Sequence, residues 1–238
     1  MENKPVFVLI HGAGLDGWCW QPVEQILARH GFKSFAPTLT GSTLQDYIQE
    51  IIDLIKSEHL QNIILAGHSF GGMMITAVAD RLHKSIRRLV YLDAAVPKDG
   101  DDFASHIPNI TKENSERRRQ AFLAMARGGT WIDPIDPALA GITDEDDILW
   151  VKRHSVPHPV QTWLEKIKLD LPDNDMPPRT YVLATNPPTD IMGYPAHGAI
   201  AQASPQWTYH EIDCGHAIMI INPQETADIL LEAAKAQT

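Results

Sequence analysis

Cysteine is scarce in this sequence, and its scarcity argues against two kinds of protein. The 238 residues include 2 cysteines, Cys19 and Cys214, and neither belongs to a CxxC pair or to a Cys/His cluster with the spacing of metal ligands. A disulfide framework and a zinc site are therefore not expected. We expect two reduced thiols that are buried in the core.

The chain also lacks an excess of positive charge and any long apolar run. Lys and Arg total 20 against 30 Asp and Glu, which gives a formal net charge of −10. This charge repels phosphate backbones and anionic lipids, so neither nucleic acid nor a membrane is an expected partner. The first apolar run, residues 5–10, is too short for a signal-peptide core or a bilayer span. We therefore expect a cytoplasmic protein.

Short apolar runs alternate with helical patterns along most of the chain. Runs of this kind, bounded by turn residues, are typical of strands buried on both faces, and alternation with helices predicts a parallel sheet. We expect an α/β fold with a roughly six-stranded parallel sheet and helices on both faces. The predicted strands are "PVFVLI" (5–10), "FKSFA" (32–36), "NIILAG" (62–67), "IRRLVYLDA" (86–94), "RTYVLAT" (179–185) and "WTYHEID" (207–213).

The segment 97–178 interrupts this alternation. It holds nine of the 17 prolines, several short helical patterns and no convincing strand. We predict that it is an inserted, mostly helical lid over the strand ends, while residues 1–96 and 179–238 form the core. Four side chains of the segment are candidates for lining an apolar substrate pocket: Trp131, Trp150, His158 and Trp163.

Residues 62–80, "NIILAGHSFGGMMITAVAD", have the pattern of a strand, a sharp turn and a helix, with Ser69 at the turn. A nucleophile elbow requires this arrangement, because glycines two residues before and after the tip let the strand and helix approach while the hydroxyl stays exposed. The motif therefore predicts that Ser69 is a nucleophile.

A nucleophilic serine needs a base and donors for the oxyanion. His216 follows the last predicted strand in "IDCGHAIMI", at the edge of the sheet where Ser69 is expected. The loop "HGAGLDGW" follows the first strand, so its backbone is expected beside the elbow. The predicted oxyanion donors are the backbone N–H groups of Ala13 and Phe70.

The motifs "HGAGLDGWCW" and "GHSFGG" and the late "GH" together resemble the α/β-hydrolase superfamily. Within it, the chain resembles the small-lid branch of plant methyl esterases, plant hydroxynitrile lyases and related bacterial esterases. The resemblance implies a Ser-His-acid triad, two backbone oxyanion donors and no cofactor. These roles fall on Ser69, His216, Ala13 and Phe70.

Two positions depart from the lyase pattern. Hydroxynitrile lyases of this branch have a threonine directly after the His of the first loop and a lysine directly after the catalytic His. Gly12 and Ala217 stand at these positions here. The resemblance therefore favours ester hydrolysis over cyanohydrin cleavage.

The acid of the triad has two candidates. In the plant enzymes it follows the strand after the lid, where this chain has Asp190 a few residues late, in a Pro-rich loop. Asp93 ends the strand after the elbow helix, where some other α/β-hydrolases carry their acid. Its place at the strand end favours Asp93, and Asp190 stays open as the alternative.

These features predict a carboxylesterase that cleaves esters of small, partly hydrophobic molecules through an acyl-enzyme intermediate. The alternatives are a hydroxynitrile lyase, a hydrolase of lactones or carbon–carbon bonds on the same triad, and a non-catalytic protein that binds a small ligand. The expected partner is a small-molecule ester, with no cofactor and no metal. Both a monomer and a homodimer stay open.

Overall fold

A computed structural model describes residues 4–235. The ends of the predicted core, residues 1–3 and 236–238, lie outside this range. The strands in the range are β1 (Val6–Ile10), β2 (Ser34–Phe35), β3 (Ile63–His68), β4 (Ile86–Leu92), β5 (Ala126–Arg127), β6 (Trp131–Ile132), β7 (His158–Pro159), β8 (Arg179–Ala184) and β9 (Trp207–Ile212). The α-helices are α1 (Gln21–Arg29), α2 (Leu44–Ser57), α3 (Gly71–Leu82), α4 (Lys112–Met125), α5 (Glu145–His154), α6 (Gln161–Leu164), α7 (Tyr194–Ala203), α8 (Ile218–Ile221) and α9 (Pro223–Lys235).

Six strands form one sheet in the order β2-β1-β3-β4-β8-β9, and every neighbouring pair is parallel. Each strand overlaps one of the six predicted runs, so the predicted fold class is confirmed. The order places β3 and β4 at the centre, where both faces are covered, and this explains why most of their residues are apolar.

The two faces of the sheet carry separate hydrophobic cores. Along β1, Val8 and Ile10 belong to the core that includes α2, α3 and α7, while Phe7 and Leu9 belong to the core of α1 and α9. This alternation follows from the two-residue period of a strand, which points successive side chains to opposite faces. Helices therefore cover both faces of the sheet.

Parallel strands end at a common edge, and this edge gathers the predicted site. Ser69 follows β3, Asp93 follows β4, and His216 lies four residues beyond the end of β9. The loop that contains Ala13 leaves the end of β1, the neighbour of β3. Segments far apart in sequence therefore meet at one site.

Residues 97–178 contain α4, α5 and α6, but the expectation that they hold no strand is wrong. Strands β5, β6 and β7, with two residues each, form an antiparallel sheet. Gly128, Gly129 and Thr130 connect β5 to β6, and the two glycines have φ angles of 62° and 73°. A Gly-Gly pair is a known hairpin signal, but two-residue strands are too short to show a period.

The inserted segment contacts two loops of the site edge. The Val156 N–H donates to the Gly14 carbonyl oxygen at 3.0 Å, and the Ala217 N–H donates to the Ala140 carbonyl oxygen at 3.2 Å. The segment therefore touches both the loop after β1 and the loop that contains His216. That it works as a lid stays a prediction.

Cys19 and Cys214 are both buried free thiols, as expected from the sequence. Between residues 4 and 235, no helix is both long enough and apolar enough to cross a bilayer.

Candidate active site

Ser69 occupies a strained turn between β3 and α3. Its φ angle is 57°, in the left-handed region that L-residues other than Gly, Asn and Asp seldom adopt. Glycines make the tight passage possible: a Cβ on Gly67 would lie 2.8 Å from the backbone carbon of Gly71, and a Cβ on Gly71 would lie 2.9 Å from the Ile10 carbonyl oxygen. The turn leaves Ser69 partly exposed while the next residue, Phe70, is buried.

Asp93 and His216 are joined by a short hydrogen bond. The His216 Nδ1 atom lies 2.6 Å from Asp93 Oδ2, and the Asp93 side chain is fully buried. The other carboxylate oxygen accepts from the Ala184 N–H, at the end of β8, at 3.3 Å. Both oxygens of Asp93 therefore have a donor, which a buried carboxylate requires.

This bond sets the tautomer of His216. A carboxylate only accepts hydrogen bonds, so Nδ1 carries the ring proton and Nε2 keeps a free lone pair. The side chain of His216 is 12% exposed. His216 therefore has the form of a general base at the surface of the site.

Two rings flank the imidazole of His216. The ring of Tyr194 stacks on it with centroids 5.2 Å apart and planes inclined by 12°, and the ring of His68 lies at 4.4 Å. His68 Nε2 also donates to the His216 carbonyl oxygen at 2.9 Å. Burial lowers the pKa of His68 well below its usual value, and the charge of a protonated His216 adds to this effect. His68 is therefore neutral and positions the His216 loop.

Ser69 Oγ has a hydrogen-bond partner that the sequence did not indicate. It lies 3.1 Å from the phenolic oxygen of Tyr194, the first residue of α7. No hydrogen bond joins Ser69 to His216 among the residues that the structure describes, and such bonds often tighten only when substrate binds. Tyr194 stands in "DIMGYPAHG", which matches no motif, so only the fold brings it to Ser69.

The two predicted oxyanion donors are oriented by the carbonyl groups of their own peptide units. In a trans peptide the C=O and N–H groups point in opposite directions. His11 Nδ1 donates to the Gly12 carbonyl at 2.9 Å, which turns the Ala13 N–H the other way. The Ser69 carbonyl accepts from Gly72 at 3.2 Å and from Ala95 at 3.1 Å, which orients the N–H of Phe70.

Both N–H groups are available to a ligand. Within residues 4–235, neither Ala13 nor Phe70 donates a backbone hydrogen bond to another protein group. The loop also lies directly against the elbow, since a Cβ on Gly12 would be 2.9 Å from Ser69 Cβ. Two free donors beside a serine are the arrangement that stabilises a tetrahedral oxyanion.

The four candidate pocket residues of the inserted segment fall into two groups. His158 and Trp163 are buried, their rings lie 5.4 Å apart, and the His158 ring lies 5.4 Å from that of Phe70. Trp131 is 42% exposed on β6, and Trp150 packs on Trp18 with ring centroids 4.8 Å apart. His158 therefore contacts Phe70 at the elbow, and Trp163 contacts His158. Trp131 is exposed to solvent, and Trp150 packs on Trp18 in the loop after β1.

The alternative acid, Asp190, lies apart from this arrangement. It is exposed and begins the 3-10 helix Asp190–Met192, which precedes α7. The carboxylate bound to His216 Nδ1 is that of Asp93.

In the part of the chain that the structure covers, no three His, Cys, Asp or Glu side chains are grouped so that they could hold a metal ion.

Buried histidines make stability depend on pH. Burial lowers the pKa of His158 to about 3 and that of His197 to about 4. Unfolded histidines titrate near pH 6.5, so between about pH 6.5 and 4 the unfolded state binds more protons than the native state. Stability is therefore complete above that window and is lost as the pH falls through it. At pH 5 we expect each histidine to lower the free energy of unfolding by about 2 kcal/mol relative to pH 7.

Urea unfolding at pH 7 and pH 5 measures this effect. In His158→Gln the difference between the two pH values should shrink by about 2 kcal/mol, because one titrating group is removed. The matched control is His30→Gln, at an exposed position after α1, which should leave the difference unchanged. A His158→Gln protein with the full wild-type difference would contradict the prediction.

The chain is similar to a known protein family and to individual enzymes. The model of a family described as "Alpha/beta hydrolase family" matches residues 7–229. A carbendazim hydrolyzing esterase of Nocardioides sp. (strain SG-4G) is 34% identical, with the match covering 94% of this chain and 97% of that protein. Methylesterase 17 of Arabidopsis thaliana is 31% identical over 47% of this chain and 46% of the plant protein.

The fold has close counterparts among solved structures. An extracellular alpha/beta-hydrolase from a Paenibacillus species superposes with a TM-score of 0.80 at 23% identity, and the match covers 98% of this chain and 100% of that chain. At that identity the likeness concerns the fold alone. The match of the family model over most of the sequence shows the family itself: the chain belongs to the alpha/beta hydrolase family.

Proposed function

We propose that this protein is a serine carboxylesterase whose triad is Ser69, His216 and Asp93. The observation that carries the proposal is the 2.6 Å bond between His216 Nδ1 and Asp93 Oδ2, which leaves Nε2 free to act as a base. Tyr194 contacts both the His216 ring and Ser69 Oγ, which places the two side chains in one site. A relative 34% identical over nearly the whole chain is named as an esterase, which supports ester hydrolysis.

The proposed reaction begins with acylation. His216 Nε2 removes the proton of Ser69 Oγ while this oxygen attacks the ester carbonyl carbon. The carbonyl oxygen becomes an oxyanion and accepts hydrogen bonds from the N–H groups of Ala13 and Phe70. His216 then donates its proton to the departing alcohol, and an acyl-Ser69 ester remains.

Deacylation repeats these steps with water. His216 removes a proton from water, the resulting hydroxide attacks the acyl carbon, and Ser69 Oγ leaves with the proton that His216 returns. Asp93 stays ionised and stabilises the imidazolium in both halves of the reaction.

The substrate proposed for this site is a small, partly hydrophobic ester. Aromatic side chains dominate the region beside Phe70: the ring of Phe103 lies 5.0 Å from that of Phe70, His158 contacts Phe70, and Trp163 contacts Phe103. Burial lowers the pKa of His158 to about 3, so this side chain is neutral and adds no charge to the region. An apolar acyl or alkyl group suits these surroundings better than a charged one.

Cyanohydrin cleavage is not favoured at this site. Hydroxynitrile lyases of the branch that this chain resembles have a threonine at the position of Gly12. A Cβ on Gly12 would lie 2.9 Å from both His68 Nδ1 and Ser69 Cβ, so a threonine there would collide with the elbow. Gly12 is therefore required by the packing of the loop against the elbow in this chain.

Covalent labelling combined with a substrate panel tests the proposed function. An organophosphate should add one phosphoryl group per chain, located on Ser69 by peptide mass spectrometry, and hydrolysis of nitrophenyl acetate and butyrate should fall in proportion to labelling. The panel includes a thioester, an amide, a lactone and mandelonitrile. Turnover that persists after complete labelling of Ser69, or cyanide release without ester hydrolysis, would contradict the proposal.

A further inference from the structure

Tyr194 contacts the nucleophile, and the acyl-transfer steps above assign it no role. It begins α7, its side chain is fully buried, and its hydroxyl oxygen lies 3.1 Å from Ser69 Oγ. A buried phenol needs a hydrogen-bond partner, because an unpaired hydroxyl in the interior is costly. The question is which of the two hydroxyl groups donates.

The surroundings of Tyr194 decide the direction of this bond. Burial raises the pKa of Tyr194 above its usual value, so the phenol keeps its proton at any pH at which the protein works. Among residues 4–235, the hydrogen bond of this hydroxyl is to Ser69 Oγ. Either hydroxyl could donate, but with the phenol as donor to Ser69 Oγ no buried phenol proton is left unpaired, and the Ser69 proton stays available to His216 Nε2 when the two side chains approach.

The position of Tyr194 is fixed from several sides. Its ring stacks on His216, and its carbonyl oxygen accepts from the Tyr181 hydroxyl at 3.1 Å. The same Tyr181 hydroxyl reaches the carbonyl of Ala94, the residue after Asp93, at 3.0 Å. Tyr194 is therefore held to the same framework as the acid and the base, so its donor is preorganised.

We propose that Tyr194 is a further catalytic residue, whose O–H group donates a hydrogen bond to Ser69 Oγ while this oxygen carries negative charge. The inference rests on the proposed function and deepens it. The backbone N–H groups of Ala13 and Phe70 serve the carbonyl oxygen of the substrate, and Tyr194 serves the oxygen of the nucleophile.

The charge on Ser69 Oγ changes twice in each turnover. During acylation its O–H bond breaks toward His216 and its bond to the acyl carbon forms; during deacylation the Oγ–carbon bond breaks and His216 returns the proton. Negative charge builds on Oγ in both transition states, whereas in the planar acyl ester this oxygen is conjugated and a poor acceptor. The bond from Tyr194 is therefore strongest in the transition states, which is the condition for catalysis.

The variant Tyr194→Phe removes the hydroxyl and keeps the ring that stacks on His216. We expect kcat and kcat/KM for nitrophenyl butyrate to fall together by about 10- to 100-fold, with KM within about twofold of wild type. The matched control is Tyr91→Phe, which removes a buried hydroxyl bonded to Thr76 Oγ1 at 2.9 Å. The control should keep kcat within about twofold.

All rates are divided by the concentration of active sites, which is measured by titration with an organophosphate. A variant that is only partly folded is then not mistaken for a slower enzyme. A raised KM with unchanged kcat, or rates equal to those of Tyr91→Phe, would overturn the inference. If Tyr194→Phe gives no folded protein, 3-fluorotyrosine at position 194 keeps the shape with a more acidic phenol. Its kcat should rise about twofold, and an unchanged kcat would equally overturn the inference.

Ser69→Ala separates this inference from the proposed function. If Ser69→Ala keeps more than about a tenth of the wild-type kcat, the proposed function fails. If Ser69→Ala loses about 10⁴-fold in kcat while Tyr194→Phe keeps wild-type rates, the proposed function stands and the role of Tyr194 is wrong.

Discussion

Replacing Ser69 with alanine is expected to lower kcat for a nitrophenyl ester by about 10⁴-fold or more. The substitution removes the oxygen that forms the acyl-enzyme, and no other hydroxyl takes its place at the elbow. The N–H groups of Ala13 and Phe70 remain available, so a small catalysed rate above that in water should persist. Steady-state kinetics on purified protein measure the effect.

The fold of this variant should be unchanged. Alanine keeps the Cβ of Ser69 but leaves the buried Tyr194 hydroxyl without its partner, so the thermal unfolding midpoint should fall by about 10 °C or less while the circular dichroism spectrum stays the same. Ser57→Ala, at the exposed end of α2, makes the same chemical change away from the site and should retain full activity. A Ser69→Ala protein that keeps more than about a tenth of the wild-type kcat would rule out Ser69 as nucleophile.

The second large effect is expected from Asp93→Asn, which should reduce kcat by about 10⁴-fold. Asparagine matches the shape of aspartate, and its oxygen can still accept from the Ala184 N–H. Its NH₂ group then faces His216 Nδ1, which becomes an acceptor and passes the ring proton to Nε2. His216 loses the lone pair that removes the proton from Ser69.

Asp190→Asn is the matched control for this change, because it makes the same substitution at the alternative acid. Asp190 is exposed in the loop before α7, so kcat should stay within about twofold of wild type. Both variants are assayed at pH 8 with nitrophenyl butyrate, after circular dichroism shows that each is folded. Loss of activity in Asp190→Asn alone would transfer the role of the acid from Asp93 to Asp190.

Much of the core could be predicted because each of its elements leaves a local signal. Residues 63–67 of β3 and 89–92 of β4 are buried on both faces and therefore appear as apolar runs. Strand β2 has two residues and gave the weakest run. Gly67 and Gly71 could be recognised in the sequence because the elbow requires glycines two residues before and two residues after Ser69.

The inserted segment was harder to predict, since its elements are short and depend on contacts with the core. Strands β5, β6 and β7 have two residues each, too few for a period. All four candidate pocket residues have aromatic rings. His158 and Trp163 are buried near Phe70, whereas Trp131 is exposed and Trp150 packs on Trp18. Burial of that kind depends on tertiary packing and leaves no pattern in the sequence.

By itself, the sequence determined the fold class and the places of Ser69 and His216, because an elbow and a strand-end loop are recognised from neighbouring residues. Only the tertiary structure decided which carboxylate meets His216 and which hydroxyl meets Ser69. Asp93 contacts His216 because only β8 separates β4, which precedes Asp93, from β9, which precedes His216. Tyr194 contacts Ser69 because α7 begins at the edge of the sheet where Ser69 lies. Contacts between residues more than a hundred positions apart are set by strand order and packing, which no short segment of sequence encodes.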